Sequence, residues 1–225
     1  DWDKNIDGTF FDRDGVSLLG YAVCANHLEA TTYLLKEIND EFKNDINERR
    51  RRIESRISKE GFLNVGIPGF CTTLIAAMTL ASPEMVRLLL ENGASPHNTD
   101  VSGNNPLMCA CTFNRVDNVT FWLKTFPDSN LEARNTVVGG KALGLTVFMG
   151  PNRFEMAELL LKAGAKTVIL TFSGGSFLTN ACDNEDADPQ VIRLLLNHGS
   201  DIKYRVSATV LKWKLIRQVA KTAVR

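Results

Sequence analysis

The sequence lacks a surplus of charge of either sign: 26 Lys+Arg balance 26 Asp+Glu among 225 residues. No global field draws such a chain to a polyanion, and no nucleic-acid partner is expected. It lacks any apolar run near the roughly 18 residues that a membrane span requires. It also lacks a charged stretch leading into an apolar segment of the signal-peptide kind. Cysteine is sparse, odd in number and scattered, at 24, 71, 109, 111 and 182. That excludes a disulfide scaffold and reads as reduced thiols in an intracellular, cytoplasmic protein. Histidine is sparser still, at 27, 97 and 198, and all three stand at loop or helix-end positions, so no general base stands out. Asp1 in place of an initiator Met suggests a segment cut from a longer protein. What remains is 44% hydrophobic and 23% charged, a composition that excludes disorder.

What is there is a repeat. Arg87-Leu88-Leu89-Leu90-Glu91-Asn92-Gly93-Ala94 returns as Glu158-Leu159-Leu160-Leu161-Lys162-Ala163-Gly164-Ala165 and as Arg193-Leu194-Leu195-Leu196-Asn197-His198-Gly199-Ser200. Weaker copies end in Tyr33-Leu34-Leu35 and Phe121-Trp122-Leu123. Upstream of each lies a short helix start carrying one leucine: Leu19, Leu74, Leu107, Leu143 and Leu178, with spacings of 55, 33, 36 and 35 residues. Gly15, Gly103, Gly139 and Gly174 stand four residues before that leucine, and Gly69 five, where a tight turn needs positive φ. Periods near 33 residues belong to stacked helix pairs.

The helix starts read Ser17-Leu18-Leu19-Gly20-Tyr21-Ala22, Thr72-Thr73-Leu74-Ile75-Ala76-Ala77, Asn105-Pro106-Leu107-Met108-Cys109-Ala110, Lys141-Ala142-Leu143-Gly144-Leu145-Thr146 and Ser176-Phe177-Leu178-Thr179-Asn180-Ala181. This resembles the ankyrin repeat, whose helix start is T-P-L-H-x-A. The resemblance implies an all-α solenoid of helix-turn-helix units with hairpin or turn fingers. Residues 1–225 are then one domain, with repeats at about 6–37, 61–94, 95–127, 128–165 and 166–200. The family histidine is absent from all five copies, replaced by Gly20, Ile75, Met108, Gly144 and Thr179. In the family it ties neighbouring repeats, so weaker coupling is expected here.

Local chemistry agrees with helix pairs. Ser82 and Asp188 suit N-caps, each followed by a proline at the first turn. Glu29, Glu84, Asp117, Glu155 and Gln190 follow at the second helix's start, four of them acidic, as the positive end of a helix favours. Gly93, Gly164 and Gly199 suit helix stops. Residues 38–60 form an insertion. Apolar residues recur there at helical spacing (Leu35, Ile38, Phe42, Ile46, Ile53, Ile57), with Asp45→Arg49 and Glu48→Arg52 as i,i+4 pairs. A long helix or helical hairpin projecting from the array is expected. Arg49 to Arg52 lie among eight basic and seven acidic residues over 36–60, which favours a solvated face over an anion site.

No catalytic, cofactor or metal site is expected. Cys109 and Cys111 fall in a packing column of the repeat and lack the four ligands of a zinc site. Asp183 to Asp188 lacks the turn glycine and distal glutamate of a calcium loop. Gly139-Gly140-Lys141 and Gly174-Gly175-Ser176 lack phosphate-loop spacing. The expected function is non-catalytic binding of another protein through finger tips and the concave helix face, as the resemblance implies. Ile169, Leu170 and Phe172 make one apolar finger, and Asp100 and Arg134 are candidate contacts on neighbouring turns. Residues 207–225 read as a basic capping helix: the tail from 203 carries seven basic residues and no acid. Through Lys212, Lys214 and Arg217 that helix is an alternative contact with a membrane surface, an acidic partner or a neighbouring domain of a larger enzyme or membrane protein.

Overall fold

The computed structural model describes residues 3–4, 10–11, 16–55, 57, 71–148, 153–167, 176, 178 and 188–201. The chain divides into two compact units, Asp1–Pro127 and Asp128–Arg225.

The first unit opens with a small antiparallel pair, β1 (Asp3–Lys4) and β2 (Phe10–Phe11). Helix pairs follow: α1 (Leu18–Cys24) with α2 (Leu28–Glu41), α4 (Thr73–Leu80) with α5 (Pro83–Glu91), and α6 (Pro106–Thr112) with α7 (Val116–Thr125). Between the first two pairs lies α3 (Ile46–Ile53). The second unit holds α8 (Ala142–Phe148) with α9 (Phe154–Lys162), and α10 (Pro189–Asn197). Stacking is by layers. In the first unit α4 packs between α1 and α6, while α5 packs between α2 and α7; in the second, α9 packs on both α8 and α10.

The helix starts behave as their residue types dictate. Ser17, Thr72 and Asn105 each accept the N–H three residues on, from Gly20, Ile75 and Met108, satisfying donors a helix start leaves open. Asp188 caps α10 by accepting the Gln190 N–H at 2.8 Å. Ser82 differs from expectation. It sits at the N-cap of α5 without a side-chain cap bond, and its own N–H donates to Asn26 Oδ1 of the preceding pair at 3.0 Å. Glu29, Glu84, Asp117, Glu155 and Gln190 are each the second residue of their helix. A backbone N–H at the start of α5 holds the Glu84 carboxyl below its ordinary range.

The leucine triplets share one register. Their middle members Leu89, Leu160 and Leu195 are fully buried, and burying such a side chain stabilises by about 1.5–3 kcal/mol. The carbonyl of each also closes the helix, accepting from Ala94, Ala165 and Ser200 at 3.0 Å. The glycines before those donors have φ of +94°, +96° and +87°. This is the Schellman stop, which a Cβ would strain.

The insertion does not project from the array. α2 runs on to Glu41, the chain turns, and α3 lies back against it. Arg52 stacks 5.1 Å from the centre of the Phe42 ring and pairs with Glu48. Asp45 caps α3 through the Asn47 and Glu48 N–H groups. The segment after α3 then reaches into the core. Ile53 and Ile57 are buried, and the Ile57 N–H donates to the Cys71 carbonyl at 2.8 Å. Ser55 bonds Ser17 at 2.7 Å, the Thr73 hydroxyl donates to the Ile53 carbonyl, and Glu54 accepts the Ser95 N–H at 2.7 Å. The reason is visible at Gly20, one of the positions where the expected histidine is missing. A Cβ there would stand 3.2 Å from Ile57 Cγ1 and from Val16 Cγ1, so the glycine makes room for the isoleucine.

Neighbouring repeats are tied by other residues. Asn118 of α7 is fully buried, and its Nδ2 lies 3.0–3.3 Å from the carbonyls of Ala77, Met78 and Ala81 at the end of α4. Arg115 donates to the Thr79 and Ala81 carbonyls at 3.0 and 2.6 Å. The weaker coupling expected from the lost histidine is offset between these two repeats by an asparagine and an arginine.

Two outcomes are expected in urea unfolding monitored by circular dichroism. Ile57→Ala empties a fully enclosed site and destabilises by about 2–5 kcal/mol. Asn118→Ala removes the buried amide shared by the Ala77, Met78 and Ala81 carbonyls, of which Met78 depends on it most, and costs about 1–3 kcal/mol. Midpoints equal to the parent would contradict the seated insertion and the interrepeat tie, respectively.

Candidate partner-binding surface

The two described fingers are built alike, each around one buried side chain. In the first, Asp100 is 5% exposed. Its Oδ1 accepts the Ser102 and Asn104 N–H groups at 2.8 Å each, and its Oδ2 accepts from Asn104 Nδ2 at 2.9 Å. The Asp100 N–H donates to the Asn104 carbonyl at 3.0 Å, and Gly103 follows at φ +73°. In the second, Asn135 Oδ1 accepts the Val138 and Gly140 N–H groups at 3.1 and 2.9 Å. The Asn135 N–H donates to the Gly140 carbonyl at 2.9 Å, with Gly139 at φ +66°. Side-chain acceptors that fold a turn onto themselves are what Asp and Asn do well in loops.

These bonds hold apolar tips. Val101 is 61% exposed, two residues before Gly103. Val137 is 64% exposed, two before Gly139, and Val138 is 48% exposed. The second finger has one more residue between its anchor and its glycine, and it carries two valines. At Gly140 a Cβ would lie 3.2 Å from Leu145 Cδ2 and 3.3 Å from Val138 Cγ2. The glycine leaves room for both side chains.

Glu132 fastens the base of the second finger. It accepts from Lys141 Nζ, a side chain only 8% exposed, and from the Lys166 N–H at 3.0 Å. Lys166 follows the Gly164-Ala165 helix stop just as Ser95 follows Gly93-Ala94, so Glu132 and Glu54 do the same work in their own units.

The expected contact residues fare differently. Arg134 is exposed at the second finger. Asp100 lies inside its loop with its carboxylate engaged, which makes it the residue that shapes the turn and not one of its outward groups. Ile169, Leu170, Phe172, Lys212, Lys214 and Arg217 fall outside the described residues, as do Asp183 to Ala187, Gly174 and Gly175. Val101, Val137 and Val138 were not read as contacts from sequence. The signal was their offset from the turn glycine, which Phe172 shares with respect to Gly174.

Residues 74–128 match the family model for ankyrin repeats (many copies). The match supports a divergent ankyrin-repeat domain. No curated protein matches the chain significantly. The matched stretch covers two helix pairs, α4 with α5 and α6 with α7, and the finger at Asp100. Ankyrin repeats generally mediate protein–protein interaction and are generally non-catalytic.

Two of the histidines serve the architecture. His27 Nδ1 caps α2 by accepting the Ala30 N–H, and His198 Nδ1 bonds the Leu194 carbonyl at 2.8 Å. No group of three metal-capable side chains occurs among the described residues. No described helix is long and apolar enough to cross a membrane. Cys24, Cys71, Cys109 and Cys111 are free thiols. Cys71 and Cys109 share a core cluster with Val16, Ile57, Ile75 and Ala76, and Cys24 packs against it. Burial pushes the Cys24 and Cys71 thiols up to about 12 and raises Cys109 as well. A thiol so placed stays protonated near neutral pH and is a poor nucleophile. Iodoacetamide at pH 8 should therefore leave Cys71, Cys109 and Cys111 unlabelled in the folded protein and label them in urea, by peptide mass mapping. Prompt labelling of Cys71 or Cys109 in the fold would contradict the sealed core.

Proposed function

We propose that this ankyrin-repeat domain is a non-catalytic module that binds a protein partner through its finger tips. The observation that carries the reading is the pairing of stiff turns with exposed valines. A turn locked by several hydrogen bonds loses little freedom on binding. A β-branched side chain held out on it offers apolar area at small entropic cost. Turn chemistry itself favours Gly, Asn, Asp and Ser, so valine at a tip serves no need of the turn.

The proposed contacts are Val137 and Val138 on the finger of the second unit and, taken by itself, Val101 on the finger of the first. Leu170 and Phe172 join them on sequence grounds. Asp100 and Asn135 belong behind these contacts, as residues that aim them. Apolar anchors of this kind carry most of the energy in an interface, with neighbours that exclude water.

The test is retention of cellular proteins on the immobilised intact chain, quantified by mass spectrometry against Val137→Asp/Val138→Asp. Exposed substitutions of this kind change stability by only about 0.5 kcal/mol, so circular dichroism and the urea midpoint are expected to stay put. Proteins retained by the parent are expected to fall about tenfold or more on the variant, a loss of about 1.4 kcal/mol or more. Equal retention would remove the second finger from the binding surface.

A further inference from the structure

The four arginines of α3 divide into two pairs. Arg51 and Arg52 are both held by Glu48, at 2.8 and 2.6 Å. The side chains of Arg49 and Arg50 make no hydrogen bond or ion pair with any described residue. The acids that helical spacing would offer them are spent elsewhere. Asp45, four residues before Arg49, caps α3 by accepting the Asn47 and Glu48 N–H groups. Glu54, four residues after Arg50, accepts the Ser95 N–H at 2.7 Å. Glu37, Asp40 and Glu41 on the neighbouring α2 are exposed and pair with no described cation. The near balance of charge over residues 36–60 therefore does not hold on this helix, where Ile46–Ile53 carries four arginines and one acid.

Ile46 stands beside both of these cations. It precedes Arg49 by three residues and Arg50 by four, the spacings that bring helix side chains together, with Cβ atoms about 5–6 Å apart. Long side chains on a helix also lean toward its N-terminus, which carries both arginine stems toward the Ile46 turn. Ile46 is 60% exposed, Arg50 is exposed and Arg49 is half-buried. Ile53, at the other end of the helix, is seated in the core. Thus α3 is anchored at one end and offers at the other an apolar residue flanked by two guanidiniums that no described residue holds.

We infer that this face of α3 receives a short acidic segment of a protein partner, with carboxylates on Arg49 and Arg50 and an apolar side chain on Ile46. A guanidinium grips a carboxylate with two parallel hydrogen bonds and is more weakly hydrated than an ammonium. A merely solvated face has no need of that geometry. The negative end of a helix favours cations in its last turn, yet Arg49 lies before that turn. One exposed isoleucine is too little apolar area to hold a helix of eight residues in a lipid surface. It is enough to set the register of a peptide whose charges do the selecting. What α3 receives is independent of what the finger tips bind.

The test is selection of random peptides displayed on phage against the intact protein. Enriched peptides are then measured in solution against the parent, Arg49→Gln/Arg50→Gln, Ile46→Ser and Val137→Asp/Val138→Asp. Glutamine keeps the helix-forming tendency and removes the charge, so circular dichroism and the urea midpoint are expected to match the parent's. Arg50→Gln alone, at the exposed position, replaces the double variant should the latter unfold, with an expected loss of about threefold. A class of peptides rich in Asp or Glu is expected, losing about tenfold in affinity with the arginine pair, about threefold with Ile46→Ser and nothing with the valine pair. Their binding should fade as salt approaches about 1 M, where the screening length is about 3 Å. Enriched peptides without acids, acidic peptides indifferent to the arginine substitutions, or no enriched peptide at all would overturn the inference. An affinity unchanged by Ile46→Ser would overturn its apolar part. Arginine-dependent sedimentation with phosphatidylserine vesicles, without such a peptide class, would give the face to a membrane instead. Peptides lost only with the valine substitutions would uphold the finger tips and overturn the reading of α3.

Discussion

Everything in the first unit depends on α4 having a helix on either side. From Thr73 to Thr79 every residue of this helix is buried, so it has no solvent face and no amphipathic stripe. A helix apolar all round is stable only where neighbours cover it. Here α1 and α6 do so, and Ala76 and Ala77 are small enough to let them come close. A single pair in this array cannot bury its own apolar surface, so stability resides in the contacts between pairs. The Leu89 register is the outer-layer counterpart of the same constraint.

That constraint explains what happened to the insertion. A hairpin standing away from the array would leave Ile53 and Ile57 in water and the start of α1 uncovered. Folding back seats both isoleucines and gives the α1 cap residue Ser17 a partner in Ser55. Ser55 and Ile57 thereby bridge the first two pairs, with Glu54 reaching the following turn. The missing histidine belongs to this same rearrangement. With glycine at 20, the space is filled by Ile57, and apolar packing stands where a polar tie would be. Farther along, Asn118 and Arg115 tie α7 to α4 by bonding carbonyls left open at a helix end.

Much of this was legible in the chain because it rests on local rules. The cap at Asp188, the second-position acids and the glycine stops each depend on a few adjacent residues. The buried middle leucine needed only the repeat period. Ser82 shows where local reading ends: it has the right type and place for a cap, yet its N–H is taken by Asn26, 56 residues earlier. The direction of the insertion was likewise set by contacts distant in sequence, 38 residues for Ser17 with Ser55 and 41 for Glu54 with Ser95. Asp100 shows a third limit. Its place on a turn made it a candidate contact, but the short reach from its carboxylate to the Ser102 and Asn104 N–H groups drew it inside.

The two fingers show how one turn chemistry permits different tips. Asp100 closes its turn on Asn104, four residues on, whereas Asn135 closes on Gly140, five residues on. Both satisfy the same demand, that the N–H groups of a tight loop find an acceptor. The added residue is not needed for closure, and the residue types at the tip are not set by it. What the anchor does set is stiffness, because each bonds two backbone N–H groups beyond itself. Stiffness and identity are therefore separable at these fingers: Asp100 and Asn135 govern the first, and Val101, Val137 and Val138 the second. Under the proposed function, changes at the valines alter what is recognised while the anchors keep the loop in shape, as surface loops vary over a rigid support. The proposed binding surface is one tuned at its tips and lost at its anchors.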